Sequence, residues 1–280
     1  MTFSKITAVT LATLVAAVSV PVTVPAAVPA AAADLPGSSG PSGSPGSSAP
    51  CTVALDPGHN GAVTNTFDPE TGVLMADYPN GREDADALDI ARAVQNRIDA
   101  AGFRAVLLKE STADNVTYRE RVDRAAAEGA VMGVSIHTTP GAGGSEVYPQ
   151  RVGGSRTGEG ADGSSRTVTF GDAATAAVSQ RFSTLMAGAR SVAELRAVPV
   201  GGLSFDGRPG LWGGDLPVIS LIADTPWVYN EFGSATGGGA HGVTAAEKSR
   251  YINGLSAGIL AGLATSPQCS AVGSTGSSGI

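Results

Sequence analysis

Hydrophobic and polar positions follow two patterns that alternate along the chain. Short apolar runs predict buried strands at residues 52–55, 104–108, 131–136 and 227–230. Apolar side chains spaced three or four apart predict helices at residues 84–101 and 172–189, and Thr-x-x-Glu capping boxes at Thr117 and Thr244 open two more. Strands alternating with helices predict a single α/β domain, built on a twisted, mixed, mostly parallel sheet with helices on both faces.

Three side chains able to do chemistry stand at the ends of these predicted strands, namely His59, His137 and Glu231. Open α/β sheets place their sites where strands end. Glu83 falls at the start of the first predicted helix, and His59, Glu83 and His137 could form the two-imidazole, one-carboxylate set of a catalytic zinc site. Singly, each has a plainer explanation, because a histidine after a turn is usually only hydrogen-bonded and a first-turn glutamate favours the helix dipole.

Composition narrows the class of protein. The chain has 280 residues, of which 42% are hydrophobic and 15% charged, enough to bury one substantial core. The formal net charge is -7, and basic residues are interleaved with acidic ones rather than clustered. Nucleic acid is therefore a poor partner for this chain.

The two ends of the chain differ from its middle. Residues 1–33 contain Lys5, an apolar run and small residues before Asp34, which predicts a cleaved export signal. An uncleaved anchor is the alternative, but the run is shorter than the roughly 20 residues that span a bilayer. Residues 34–50 and 270–280 are rich in small and polar residues, which predicts a flexible linker and a flexible tail around a catalytic domain at 51–269.

The only two cysteines, Cys51 and Cys269, flank the predicted domain. In an exported protein such a pair favours a disulfide. Two free, buried cysteines are the alternative, although neither residue lies within an apolar run.

Four sequence blocks, taken together, resemble a known family. They are LDPGHNG at 55–61, EDADALDIA at 83–91, VSIH at 134–137 and PWVYNEFG at 226–233. In order and spacing they resemble the signature blocks of the zinc-dependent N-acetylmuramoyl-L-alanine amidases used in bacterial cell separation and sporulation. The resemblance runs from about residue 53 to residue 263, and the short form is similar to the single-domain secreted amidases of mycobacteria.

The resemblance implies a function and roles for individual residues. His59, Glu83 and His137 would bind Zn²⁺, and Glu231 would be the catalytic residue. The reaction would be hydrolysis of the amide bond between the lactyl group of N-acetylmuramic acid and L-alanine, in peptidoglycan or muropeptide fragments. We expect a secreted monomer that acts outside the cytoplasm and has no stable membrane insertion.

The sequence departs from the family pattern at several positions, and two alternative functions remain. Thr138-Thr139 stands where many members carry Ala-Asn, and Ala87 stands where many carry Asn, which puts substrate contacts in doubt. His241 has no counterpart among the ligands, and we interpret it as an exposed loop residue. A zinc peptidase that cuts within the stem peptide, or a wall-binding module without activity, are the alternative functions.

The glycine-rich segment 141–171 follows the strand of His137. Its pattern predicts two strand-like arms, at 145–148 and 167–170, around a glycine-rich tip. We expect either a flap beside the metal that controls access to the site or a disordered surface insertion.

Overall fold

The computed structural model of the chain describes residues 51–72, 74–139, 144–150, 155–159, 163–169, 172–201, 218–233 and 242–270. These residues belong to one compact unit, Ser47–Ile280. The predicted signal peptide and linker, and residues 271–280 of the predicted tail, lie outside the described residues. Within the described segments, no helix combines the length and apolar character that crossing a membrane requires.

Five strands form the central sheet. They are β1 (Thr52–Pro57), β4 (Arg104–Leu107), β5 (Ala130–Thr139), β6 (Glu146–Pro149) and β9 (Trp227–Gly233). Their order across the sheet is β4-β1-β5-β9-β6. Neighbouring strands from β4 through β1 and β5 to β9 are parallel, whereas β6 runs antiparallel to β9 at one edge of the sheet. The predicted mixed, mostly parallel sheet is confirmed.

The described helices lie on both faces of this sheet. They are α1 (Arg82–Ala100), α2 (Tyr118–Ala127), α3 (Ala173–Glu194), α4 (Val218–Ile222), α5 (Ala245–Thr265) and α6 (Pro267–Ser270). The two capping boxes are present, since Thr117 caps α2 with Glu120 and Thr244 caps α5 with Glu247. Each box satisfies two backbone N–H groups that the first turn of a helix leaves without partners.

Alternate side chains of the strands enter two separate apolar layers. On one face Leu55 and Val134 pack with α1, α3 and α5 side chains such as Ile90 and Ile259. On the other face Ala54 and Trp227 pack with α2 and α4. Both faces of the parallel strands are thus buried, which leaves the strand ends as the places where polar side chains can gather.

Two hairpins stand outside the central sheet. β2 (Thr64–Phe67) pairs with β3 (Leu74–Asp77), and β7 (Ser155–Glu159) pairs with β8 (Ser165–Thr169), both antiparallel. The strand-like stretch predicted at 145–148 is confirmed, since most of it is β6. Its assignment to the arm of a flap was wrong, because β6 pairs with β9 in the central sheet, with Tyr148 opposite Tyr229.

A disulfide joins the start of β1 to the last helix. The Sγ atoms of Cys51 and Cys269 are 2.01 Å apart, and the two residues are separated by 218 positions in the sequence. The bridge therefore connects the two ends of the described domain.

Candidate metal centre and active site

Three polar side chains converge at the carboxyl end of the parallel strands. His59 follows β1 by two residues, Glu83 lies in the first turn of α1, and His137 lies within β5. His59 Nε2 is 3.2 Å from Glu83 Oε1, and His137 Nδ1 is 3.3 Å from the same oxygen. One ligand atom from each residue lies within 4.8 Å of the others, and all three residues are buried. The structure thus brings together the three residues that the sequence singled out as ligands.

The spacing of these atoms suits a small tetrahedral metal ion. Zinc bonds of about 2.0–2.1 Å at tetrahedral angles separate neighbouring ligand atoms by about 3.3 Å. The two distances to Glu83 Oε1 match that separation. Two imidazoles and one carboxylate also leave a fourth position for water or substrate, as catalytic zinc sites require. The residues present therefore fit the ion.

Glycine is required next to the first histidine because the second histidine lies so close. A Cβ atom at Gly58 would lie 2.2 Å from Cε1 of His137. A side chain at this position would displace His137, so the Gly58-His59 pair explains how two imidazoles approach each other with ring centroids 4.9 Å apart.

Hydrogen bonds fix the carboxylate of Glu83 from two sides. The backbone N–H of Thr138 donates to Oε1 at 3.0 Å, and the side-chain amide of Asn80 donates to Oε2 at 2.5 Å. Both oxygens are therefore oriented before any ion binds. Because Thr138 uses its backbone, its side chain can depart from the family pattern without losing this contact.

The charges at the site stabilise a protonated imidazole facing a carboxylate. Burial alone would lower the pKa of His59, but the carboxylates of Asp77 and Glu83 outweigh it and raise the pKa from 6.5 to about 10. Burial alone would raise the pKa of Glu83, yet His137 and His59 lower it to about 2. A metal cation bound to Nε2 of His59 would have to displace a proton from that imidazole.

Glu231 lies on the strand beside that of His137. The two residues are directly paired between the parallel strands β5 and β9, so their side chains point to the same face. The ring of Tyr229 links them, since it stacks on His137 with centroids 4.6 Å apart and its hydroxyl donates to Glu231 Oε1 at 3.2 Å. A carboxylate is therefore positioned next to the candidate metal ligands.

The backbone around Glu231 is held by a fully buried arginine of α3. Arg190 donates to the carbonyl oxygen of Glu231 at 2.9 Å and to the side chain of Asn230 at 3.1 Å. Its guanidinium is also paired with Glu194 at 2.7 Å and lies over the ring of Tyr251. These contacts fix the strand that bears the candidate base.

Comparison with known proteins gives the family. Residues 53–191 match the Amidase_3 family, described as N-acetylmuramoyl-L-alanine amidase. The chain belongs to this family. It is therefore an enzyme that hydrolyses peptidoglycan at the bond between N-acetylmuramic acid and L-alanine. No curated protein matches the sequence of the chain.

Solved structures share the fold of this amidase. The N-acetylmuramyl-L-alanine amidase Ami1 from Mycobacterium smegmatis is 19% identical, with a TM-score of 0.52 over 78% of this chain and 99% of that chain. Ami1 from Mycobacterium abscessus, in its apo form, is 20% identical, with a TM-score of 0.53 over 77% of this chain and 99% of that one. At these identities the likeness shows a common fold.

Other residues that the sequence singled out fall in different surroundings. Ala87 is fully buried in the core between α1 and the sheet. The exposed position predicted for His241 lies outside the described residues, as do parts of the segment 141–171.

Sequence reasoning missed several residues that shape the amidase site. Asp77 of β3 approaches the ring of His59, and Asn80 binds Glu83. Lys109 and Arg121 are buried, and both donate hydrogen bonds to the backbone carbonyl oxygen of His59. Only weak sequence signals mark the last two residues. Lys109 directly follows the apolar run at 104–108, and Arg121 lies inside the next predicted helix.

Proposed function

We propose that His59, Glu83 and His137 bind one zinc ion in this amidase and that Glu231 acts as its general base and general acid. The observation that carries the proposal is the pair of distances to Glu83 Oε1, 3.2 Å from His59 and 3.3 Å from His137, which suit a tetrahedral ion. The proposal adds a cofactor and residue roles to the reaction that the family defines.

The ion and the protein would divide the chemistry between them. Bound zinc would act as a Lewis acid toward the lactyl carbonyl and lower the pKa of the attacking water toward about 7. Glu231 takes a proton from that water as the new carbon–oxygen bond forms. It then donates the proton to the nitrogen of L-alanine as the carbon–nitrogen bond breaks, so no proton is lost overall.

Tyr229 supports this role of Glu231. Burial, and the negative charge of Glu231, raise the pKa of Tyr229 well above its ordinary value of 10. The hydroxyl therefore keeps its proton and donates it in a hydrogen bond to Glu231 Oε1. This bond orients the carboxylate toward the side of the sheet on which His137 lies.

The setting of the reaction is part of the proposal. Residues 1–33 have the pattern of an export signal, and the Cys51–Cys269 bridge suits an oxidising compartment. We infer a secreted monomer that acts on peptidoglycan or on soluble muropeptide fragments outside the cytoplasm.

Products of a small substrate distinguish this function from its alternatives. Incubation of the zinc-loaded enzyme with muramyl dipeptide should release N-acetylmuramic acid and L-alanyl-D-isoglutamine, identified by mass spectrometry. Cleavage between the two amino acids would indicate a peptidase. Absence of any product from folded, zinc-loaded protein on fragments and on intact wall would indicate a binding module.

The role of Glu231 is tested by Glu231→Gln. We expect unchanged zinc content and a fall in kcat of about 10²–10⁴-fold, because the amide cannot transfer the proton. Glu70→Gln is the matched control, since the side chain of Glu70 is 66% exposed and ion-paired only with Arg119 among the described residues. Normal turnover by Glu231→Gln would show that another group is the base.

A further inference from the structure

The ring of His59 has a second nitrogen whose surroundings are distinctive. Nε2 faces Glu83, whereas Nδ1 is buried and has no hydrogen-bond partner among the described residues. The nearest carboxylate oxygen is Asp77 Oδ1, 3.6 Å from Nδ1, slightly longer than a hydrogen bond. A buried polar atom is thus left without a partner, with an acceptor close by.

Asp77 is itself held firmly by groups that do not belong to the metal set. Its Oδ2 accepts a hydrogen bond at 3.2 Å from Arg121, whose side chain is fully buried. Its Oδ1 accepts a second bond at 2.9 Å from the backbone N–H of Tyr78. These two bonds orient the carboxylate so that its Oδ1 lies 3.6 Å from Nδ1 of His59.

Metal binding creates a need for this acceptor. A histidine that binds a metal through Nε2 must carry its remaining proton on Nδ1, and that proton needs a partner when the nitrogen is buried. We propose, on the basis of the zinc site proposed above, that Asp77 is the positioning residue of His59 and accepts the Nδ1–H hydrogen bond in the metal-bound enzyme. A shift of a few tenths of an ångström from the present 3.6 Å suffices.

Two buried cationic side chains, Lys109 and Arg121, hold the backbone around His59 by hydrogen bonds. His59 adopts a positive φ of 65°, which is uncommon for a residue with a side chain. Lys109 donates to the carbonyl oxygens of Gly58 and His59 at 2.9 and 2.5 Å, and Arg121 donates to that of His59 at 3.0 Å. Buried cations therefore hold the backbone while Asp77 holds the ring.

A second buried aspartate provides a matched control. Asp68 lies in the connection between β2 and β3 and pairs with Arg119 of α2 through both carboxylate oxygens, at 2.7 and 2.9 Å. It anchors the same hairpin as Asp77, but its bonds go to Arg119 and Thr71 rather than to a histidine. Loss of Asp68 perturbs the hairpin without removing the acceptor for His59.

The first experiment measures zinc affinity by competition with a chromophoric chelator, in folded Asp77→Asn and Asp68→Asn variants. Once the affinities are corrected for protonation of His59, whose pKa Asp77 helps to raise, Asp77→Asn should weaken zinc binding by about 10–100-fold, the usual effect of removing such a partner. Asp68→Asn should lower the melting temperature but leave zinc affinity within about twofold of the wild type. Equal losses in the two variants, or no loss in Asp77→Asn, would overturn the proposal.

A second measurement uses the unaltered enzyme, so it does not depend on whether a variant folds. In zinc-loaded protein labelled with ¹⁵N-histidine, NMR should show the His59 proton on Nδ1, shifted downfield by a hydrogen bond to a carboxylate. A proton on Nε2, or an Nδ1 proton without that shift, would contradict the role of Asp77. Failure of the wild-type enzyme to bind zinc would instead refute the proposed metal site.

Discussion

Proton release on zinc binding follows from the charge state of His59. Asp77 and Glu83 raise the pKa of His59 to about 10, so the imidazole of the metal-free site is protonated at neutral pH. Zinc can bind only after that proton leaves. At pH 7.5, about 2.5 units below this pKa, proton competition should weaken the apparent zinc affinity by about 300-fold relative to the deprotonated site.

The assay is a zinc titration of metal-free protein at several pH values. Between pH 6 and 9 the apparent binding constant should rise at least about tenfold per unit. Calorimetry in buffers of different ionisation enthalpy should count at least about one proton released per zinc at pH 7.5, one from His59 and a further fraction from zinc-bound water. A binding constant independent of pH across this range, with no proton released, would show that His59 is already neutral in the metal-free protein and that its pKa is not raised.

Packing around His137, the disulfide and the charge of His59 each have consequences that can be measured. Gly58→Ala should abolish zinc binding, because the new Cβ would lie 2.2 Å from Cε1 of His137. Gly188→Ala should retain zinc, because a Cβ at that position meets no atom within 4 Å. Metal analysis of both variants checks this. Replacing both Cys51 and Cys269 by Ala should lower the free energy of unfolding in urea by up to about 5 kcal/mol, and an unchanged midpoint would contradict this. Because the pKa of His59 is higher in the folded protein, protonation of His59 stabilises the fold fully below pH 6.5, and this stabilisation is lost as the pH rises through about 10. Metal-free protein should therefore melt at a lower temperature at pH 9 than at pH 6.5. Melting temperatures that do not fall over this range would count against that pKa.

The sequence predicted the central elements of the fold because each has a local pattern. Apolar runs marked β1, β5 and β9, and the capping boxes at Thr117 and Thr244 placed the starts of α2 and α5. The prediction was less accurate at strand ends. His137 and Glu231 lie inside their strands rather than after them, since both β5 and β9 continue for two more residues.

Features that depend on distant pairing escaped the sequence. β6 is only four residues long, and its partner β9 begins about 80 positions later, so nothing local distinguishes it from the arm of a flap. The same is true of Asp77, Lys109 and Arg121, which meet around His59 only because a hairpin, a strand end and a helix converge there. Single charged residues in such elements are ordinarily surface residues.

The metal content of the purified enzyme is a direct test of the zinc site proposed at His59, Glu83 and His137. Protein prepared without added zinc and analysed by plasma mass spectrometry should contain one zinc per chain. Removal of the metal by a chelator should abolish release of N-acetylmuramic acid from muramyl dipeptide, and added zinc should restore it. A preparation without metal whose activity is undiminished by chelation would contradict a zinc site at His59, Glu83 and His137.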